Sequence, residues 1–146
     1  MSLLIRNFTK KKIDGRSLEI VMEKVFKEEK FCGKAEVSLV FVGEKRIRDI
    51  NREYRGVDRV TDVISFEGEG GGFVGPQDGV VYLGEIFICI KRAERQAREK
   101  KHSLKKEIDI LFVHGLFHLL GYDHISDKDY GIMNKKETAV LKMLYK

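Results

Sequence analysis

The spacing of apolar residues along the chain predicts about four strands and five helices in one layered α+β arrangement. Leu3 to Phe8 reads as a short opening strand, followed by the basic run Lys10-Lys11-Lys12 and an Asp14-Gly15 turn. Leu18, Val21, Met22, Val25 and Phe26 recur at helical spacing, so an amphipathic helix runs from about Arg16 to Lys30, with Gly33 ending it. Glu36 to Val42 alternates and is rich in β-branched residues, a strand expected to be largely covered on both faces. Glu44 to Arg55 returns to helix, with Ile47, Ile50 and Tyr54 on the core side. Val63, Ile64 and Phe66 mark a third strand, with Thr61 and Asp62 at its entrance. The glycine-rich stretch from Gly68 to Gly79 lacks the Lys-Ser/Thr ending of a phosphate loop and reads as a hairpin connection. Val80 to Ile90 is a long apolar strand carrying one charge, Glu85, and Lys91 to Lys101 a basic helix.

From Ile108 to Leu120 the chain is almost uniformly apolar, the pattern of a helix buried on all sides, with Ser103 as its N-cap. A last amphipathic helix, capped by Ser126 or Asp127, turns Met133, Val140 and Leu144 inward. No repeat or linker divides the chain, so residues 1–146 are expected to form a single domain: a roughly four-stranded mixed sheet with helices packed on it. With 42% hydrophobic and 35% charged residues the chain is globular rather than disordered. The opening MSLLIRNF charges too early for a signal peptide and no run approaches a membrane span, so no membrane partner and a cytoplasmic location are expected. Cys32 and Cys89 lie in no CxxC and fit a reduced interior, Cys89 as a small hydrophobe. The net charge of +5 permits a polyanionic partner without requiring one.

Three of the four histidines fall between His114 and His124. His114 and His118 are four apart, so on a helix they share one face. Gly121 supplies the left-handed residue that ends a helix, after which Tyr122 and Asp123 can swing His124 back toward the other two. Satisfied core histidines are the ordinary alternative. Three imidazoles in so apolar a segment would each need a partner, whereas one zinc ion satisfies all three at about 2.0–2.1 Å. Three protein ligands leave a fourth position for water, the layout of a catalytic centre.

The spacing of His114, His118, Gly121 and His124 is that of the metzincin proteases, HExxHxxGxxH, which implies a zincin-like fold with the metal on a central buried helix. Gly115 stands where those enzymes carry their glutamate base. Losing a positioned base forfeits a factor of about a hundred to ten thousand, so the peptidase machinery is incomplete. A phosphodiester places different demands: the metal supplies the activated water, and a guanidinium can neutralise phosphoryl charge. Arg55, before Gly56, is a candidate donor, although on spacing alone an exposed charge at a helix C-terminus explains it better.

His114-Gly115-x-x-His118-Leu119-x-Gly121-Tyr122-Asp123-His124 resembles the signature of the YbeY family of bacterial endoribonucleases. Asn51-x-x-Tyr54-Arg55-Gly56-x-Asp58, Thr61-Asp62-Val63-x-Ser65-Phe66 and Leu83-Gly84-Glu85-Ile86 match it too. Val60 and Glu67 stand where proline is usual, and Glu85 where aspartate is usual. The resemblance implies a zinc-dependent endoribonuclease that prefers single-stranded RNA and acts in ribosomal RNA maturation and ribosome quality control. It also implies partners on or near the ribosome, His114, His118 and His124 as zinc ligands, and Arg55 as the basic residue of the pocket.

Lys91, Arg95, Arg98 and His102 fall on one helical face that could track an RNA backbone, though Glu94 one turn before Arg98 equally allows a salt-bridged, solvated face. Asp123 is expected to support a ligating imidazole, and Met133 to pack in the core. Two other functions compete with the nuclease. A zinc amidase or peptidase is disfavoured by Gly115, and a ribosome-associated protein with structural zinc by the want of a fourth protein ligand.

Overall fold

β1 (Ser2–Asn7), β2 (Lys34–Val42), β4 (Val80–Cys89) and β3 (Val63–Glu67) lie side by side in that order, forming one four-stranded sheet. The structure is a computed structural model and describes residues 1–31, 33–68, 79–123 and 126–145. β1, β2 and β4 run parallel and β3 pairs antiparallel with β4, so the sheet is mixed, as its strand patterns predict. Cys32, His124 and most of the glycine-rich stretch between β3 and β4 lie outside the described residues.

Five helices complete the fold: α1 (Gly15–Glu28), α2 (Glu44–Arg55), α3 (Ile90–Lys100), α4 (Leu104–Leu119) and α5 (Asp127–Leu144). Each of α1, α4 and α5 starts on a side chain that accepts from a free backbone N–H: Asp14 from Ser17, Ser103 from Lys106, Ser126 from Asp129. Ala35, Val37, Leu39 and Phe41 alternate onto the sheet face that α1, α4 and α5 cover, where Phe112, Leu116 and Phe117 of α4 are wholly buried. Each such burial is worth about 1.5–3 kcal/mol, so α4 is the most heavily anchored helix of this layer. The opposite face holds a smaller cluster of Val40, Val42, Ile47, Ile64 and Cys89 beneath α2.

Two expectations need correction here. β2 is covered on both faces only at its C-terminal end: Glu36 and Ser38 remain half-buried, because the twelve-residue α2 reaches no further down the sheet. Tyr54 is not a core residue but is 71% exposed, and Ile47 and Asn51 are the buried positions of α2. The α2 stripe is too polar to bury three residues, and the Tyr54 ring instead leans edge-on against Phe66, with centroids 5.5 Å apart.

Buried charge in α4 is paired throughout. The Glu107 carboxylate accepts from Gln96 Nε2 at 2.8 Å and lies 3.2 Å from Lys100 Nζ and 2.7 Å from His102 Nε2, stapling α3 to α4. His102 therefore serves this cluster rather than the exposed basic face predicted for it. Asp109 accepts from Lys105 at 3.0 Å and from the Tyr145 hydroxyl; burial first, then that bond, pushes the Tyr145 phenol up to about 12.

Candidate metal centre

α4 ends in a Schellman turn, which is what gathers the site. Gly121, at φ 103°, donates to His118 O at 3.0 Å, and Tyr122 N donates to Phe117 O at 3.0 Å. The Tyr122 ring then packs on Phe117, with centroids 5.6 Å apart, the apolar contact that usually accompanies this turn. As a result the Tyr122 carbonyl stands 3.0 Å from His118 Nδ1. One turn earlier, His114 Nδ1 lies 3.0 Å from Glu137 Oε1 of α5. A carbonyl or a carboxylate oxygen accepts, so in the tautomer that donates from Nδ1 each imidazole turns its Nε2 toward the other ring.

The two Nε2 atoms converge to 3.1 Å, a separation close to that of two nitrogens sharing one metal ion. Around a tetrahedral zinc with bonds of 2.0–2.1 Å, ligating nitrogens stand about 3.3–3.4 Å apart. The donor set therefore fits zinc with little movement, and the fixed Nδ1 partners are the usual outer support of ligating histidines. Both rings are half-buried, reachable from solvent yet framed by the apolar body of α4. His124, the third expected ligand, lies outside the described residues.

Gly115 lies between the two histidines, and its glycine has a packing cause. A Cβ there would meet Ile86 Cδ1 at 2.9 Å, Ile86 Cγ2 at 3.0 Å and Ser65 Oγ at 3.1 Å. α4 crosses β3 and β4 so closely that even a Cβ fits only if Ile86 and Ser65 give way, and a glutamate demands far more. The position that would carry a peptidase base is an inter-layer contact.

Glu137 is the residue that sequence reasoning missed. Met133, Glu137, Val140 and Leu144 share one stripe of α5, so a carboxylate in an otherwise apolar row was the available signal. Its neighbour Lys136 acts on the other histidine at one remove, with Nζ 3.0 Å from Glu29 Oε2 and 5.4 Å above the Tyr122 ring. Burial, followed by a hydrogen bond to Glu29, holds the Tyr122 phenol above its usual range. Met133 itself is core, as expected. Replacing Glu137 with alanine should weaken zinc binding by about ten- to a hundredfold, the usual effect of removing such a support, with helix content unchanged. Competition with a chromogenic chelator measures it, and unchanged affinity would deny Glu137 this role.

The other predicted residues lie apart from the histidines. Arg55 ends α2, which packs on the opposite sheet face, ahead of the left-handed Gly56. It is exposed and makes no hydrogen bond or ion pair among the described residues. Its helix neighbours differ: Arg48 binds Asp58 at 2.8 Å and Arg52 binds Asp49 at 3.2 Å. The adjacent Tyr54 touches Phe66 of β3, and Ser65, one residue back, lies against Gly115, so only the edge strand separates Arg55 from the histidine layer. On α3, Lys91, Arg95 and Arg98 are exposed and likewise unpaired among the described residues, while Glu94 pairs with Lys11 at 3.5 Å. Glu94 thus pairs with Lys11 and not with Arg98 one turn on, and the three cations face solvent.

Known proteins resemble this chain in sequence and fold. The profile of the family described as endoribonuclease YbeY matches residues 4–145. An endoribonuclease YbeY from Pelotomaculum thermopropionicum is 46% identical over 119 residues, covering 82% of this chain and 78% of its own. One from Desulforamulus reducens is 38% identical, covering 99% and 97%. The solution structure of TM1509 from Thermotoga maritima superposes with a TM-score of 0.64 at 30% identity, over 96% of this chain and 87% of that one. With a full-length profile match, two such relatives and a shared fold, the chain belongs to the YbeY family of endoribonucleases.

Proposed function

We propose that this protein is a zinc-dependent endoribonuclease that cuts single-stranded RNA during ribosomal RNA maturation in the cytoplasm, in contact with the ribosome or proteins bound to it. The observation that carries the reading is the pair of Nε2 atoms converging to 3.1 Å, each ring held through Nδ1, beside a glycine packed against the sheet where a peptidase base would stand. His114, His118 and His124 would hold the metal. When bound, zinc polarises a phosphoryl oxygen and lowers the pKa of a bound water to about 7.

The chain's own residues supply the rest. Glu137 and the Tyr122 carbonyl keep both imidazoles in the ligating tautomer. Arg55, the unpaired arginine at the end of α2, brings a guanidinium past the edge of β3 to the phosphate under attack, where its fork neutralises developing charge. Arg95 and Arg98, with Lys91, carry the RNA backbone away from the cut as a row of solvent-facing cations. An amidase reading is weaker, because Gly115 cannot become a base without parting α4 from the sheet.

The test is single-turnover cleavage of a labelled single-stranded RNA at matched zinc occupancy. Arg55→Ala should keep its metal and melting temperature while cleavage falls about a hundredfold or more, the scale of losing one charge-stabilising donor. Arg55→Lys should recover part of that, since an ammonium lacks the paired donors. Cutting by the alanine variant at the wild-type rate would return Arg55 to an ordinary helix-terminal charge. Peptide cleavage without RNA cleavage by the wild type would replace the nuclease reading with the amidase one.

A further inference from the structure

We propose that the cleft on the α2 side of the sheet is a subsite for an unpaired guanine nucleotide of the RNA, read by Glu85 and Arg46; the proposal rests on the nuclease reading above. The cleft has a volume of about 990 Å³ and lies on the sheet face opposite the histidines. Its walls are aromatic: Phe66 meets Phe87 edge-to-face at 5.9 Å, Tyr54 meets Phe66 at 5.5 Å, and Phe8 stands at the far end. Exposed aromatic rings on an open sheet are the usual stacking surface for unpaired bases.

Three charged residues lining this cleft, Glu53, Glu85 and Arg46, make no ion pair among the described residues. Glu85 is half-buried on the central strand β4 and makes no hydrogen bond or ion pair among the described residues. A bulge turns it outward: the β2–β4 register shifts between Glu36 and Val37, leaving Gly84 at φ 143° where a Cβ would stand 2.2 Å from Phe66 O. A carboxylate set among rings is costly to desolvate unless a donor meets it. Arg46 stacks 4.9 Å above Phe8 and has no carboxylate among the described residues, whereas the neighbouring Lys45, Arg48 and Arg52 are all paired.

A half-buried anion, a cation at the rim and aromatic faces between them describe a planar ligand with a donor edge and a phosphate. Guanine fits, because its Watson–Crick edge presents two adjacent N–H donors to the two carboxylate oxygens. Adenine, cytosine and uracil each place an acceptor against one of those oxygens. A basic protein side chain would also suit the rings and Glu85, but it leaves Arg46, stacked on Phe8 at the rim, without the phosphate that a nucleotide brings to it. The cleft adjoins the site: Tyr54 precedes Arg55, and Phe66 faces the cleft while Ser65 faces the histidine helix. One RNA strand passing Arg55 around the β3 edge reaches both.

The experiment follows backbone amide shifts of the isotope-labelled full chain during titration with guanosine monophosphate, adenosine monophosphate and an arginine-containing tripeptide. Guanosine monophosphate is expected to shift Tyr54, Phe66, Glu85 and Phe87, and to bind more tightly than adenosine monophosphate. Glu85→Gln should weaken the guanine ligand about tenfold, the effect of losing a paired contact to a base edge, without changing adenine binding, zinc content or melting temperature. Arg46→Ala should weaken guanosine monophosphate but leave guanosine unaffected. Absent shifts, equal affinity for the two nucleotides, indifference to Glu85→Gln, or binding of the tripeptide in their place would each overturn the proposal. Guanine binding by a protein that cuts no RNA would sink the nuclease reading alone, and RNA cleavage without guanine binding would sink only this subsite.

Discussion

His118→Ala is expected to purify folded but without zinc and without detectable RNA cleavage. The side chain contributes one of two converging nitrogens 3.1 Å apart, and removing one of three imidazoles leaves a poor zinc site. The fold should survive, because the turn beyond α4 is held by the backbone bonds of Gly121 and Tyr122 and by Tyr122 packing on Phe117, none of which needs the imidazole. The stability lost should be about 1–2 kcal/mol, that of removing a half-buried, hydrogen-bonded side chain. Elemental analysis, thermal unfolding and a cleavage assay on the same preparation decide it. Undiminished zinc in the variant would remove the histidine pair from the metal site.

Gly115→Glu should damage the fold while conferring no peptidase activity. Its Cβ alone would approach Ile86 and Ser65 to 2.9–3.1 Å, and the carboxylate beyond would enter the interface between α4 and the sheet. Overpacking together with an unpaired buried charge should cost about 3 kcal/mol or more. Gly115→Ala meets only the first conflict and recovers about 1 kcal/mol of helix propensity, so it should lose less. Urea unfolding of the three proteins gives the order wild type, alanine, glutamate. A glutamate variant as stable as wild type, or one that hydrolyses peptides, would disprove the packing account of this glycine.

These two residues also mark what the sequence could disclose. Local chemistry is legible: four-residue spacing puts His114 and His118 on one face, a glycine three beyond forecasts the turn, and Ser103 forecasts the helix start. The structure bears all three out. The reason for Gly115 was out of reach, because the atoms excluding a side chain come from Ser65 and Ile86, distant in sequence and brought close only by the sheet. Glu137 was missed for the same reason, since its partner lies 23 residues back on another helix. Tyr54 misled because an aromatic at a core spacing was assigned to the core, whereas α2 is too short and too polar to bury it and its ring packs sideways on Phe66. Arg55 could be picked out by motif, but its layer could not, since side choice follows from which face of β2 each helix covers.

The hold that α5 keeps on α4 has a consequence for how activity appears during synthesis. Adjacent residues Lys136 and Glu137 serve the two histidines, one through Tyr122 and the other directly. Translation makes the histidines first and their supports afterwards. A nascent chain that has completed α4 and its turn thus holds His118 against the Tyr122 carbonyl, while His114 gains its Nδ1 partner only when α5 docks. The order of synthesis thus delays a potentially destructive activity until α5 has been made, and a product truncated before α5 would carry His114 without the Glu137 contact that aims it.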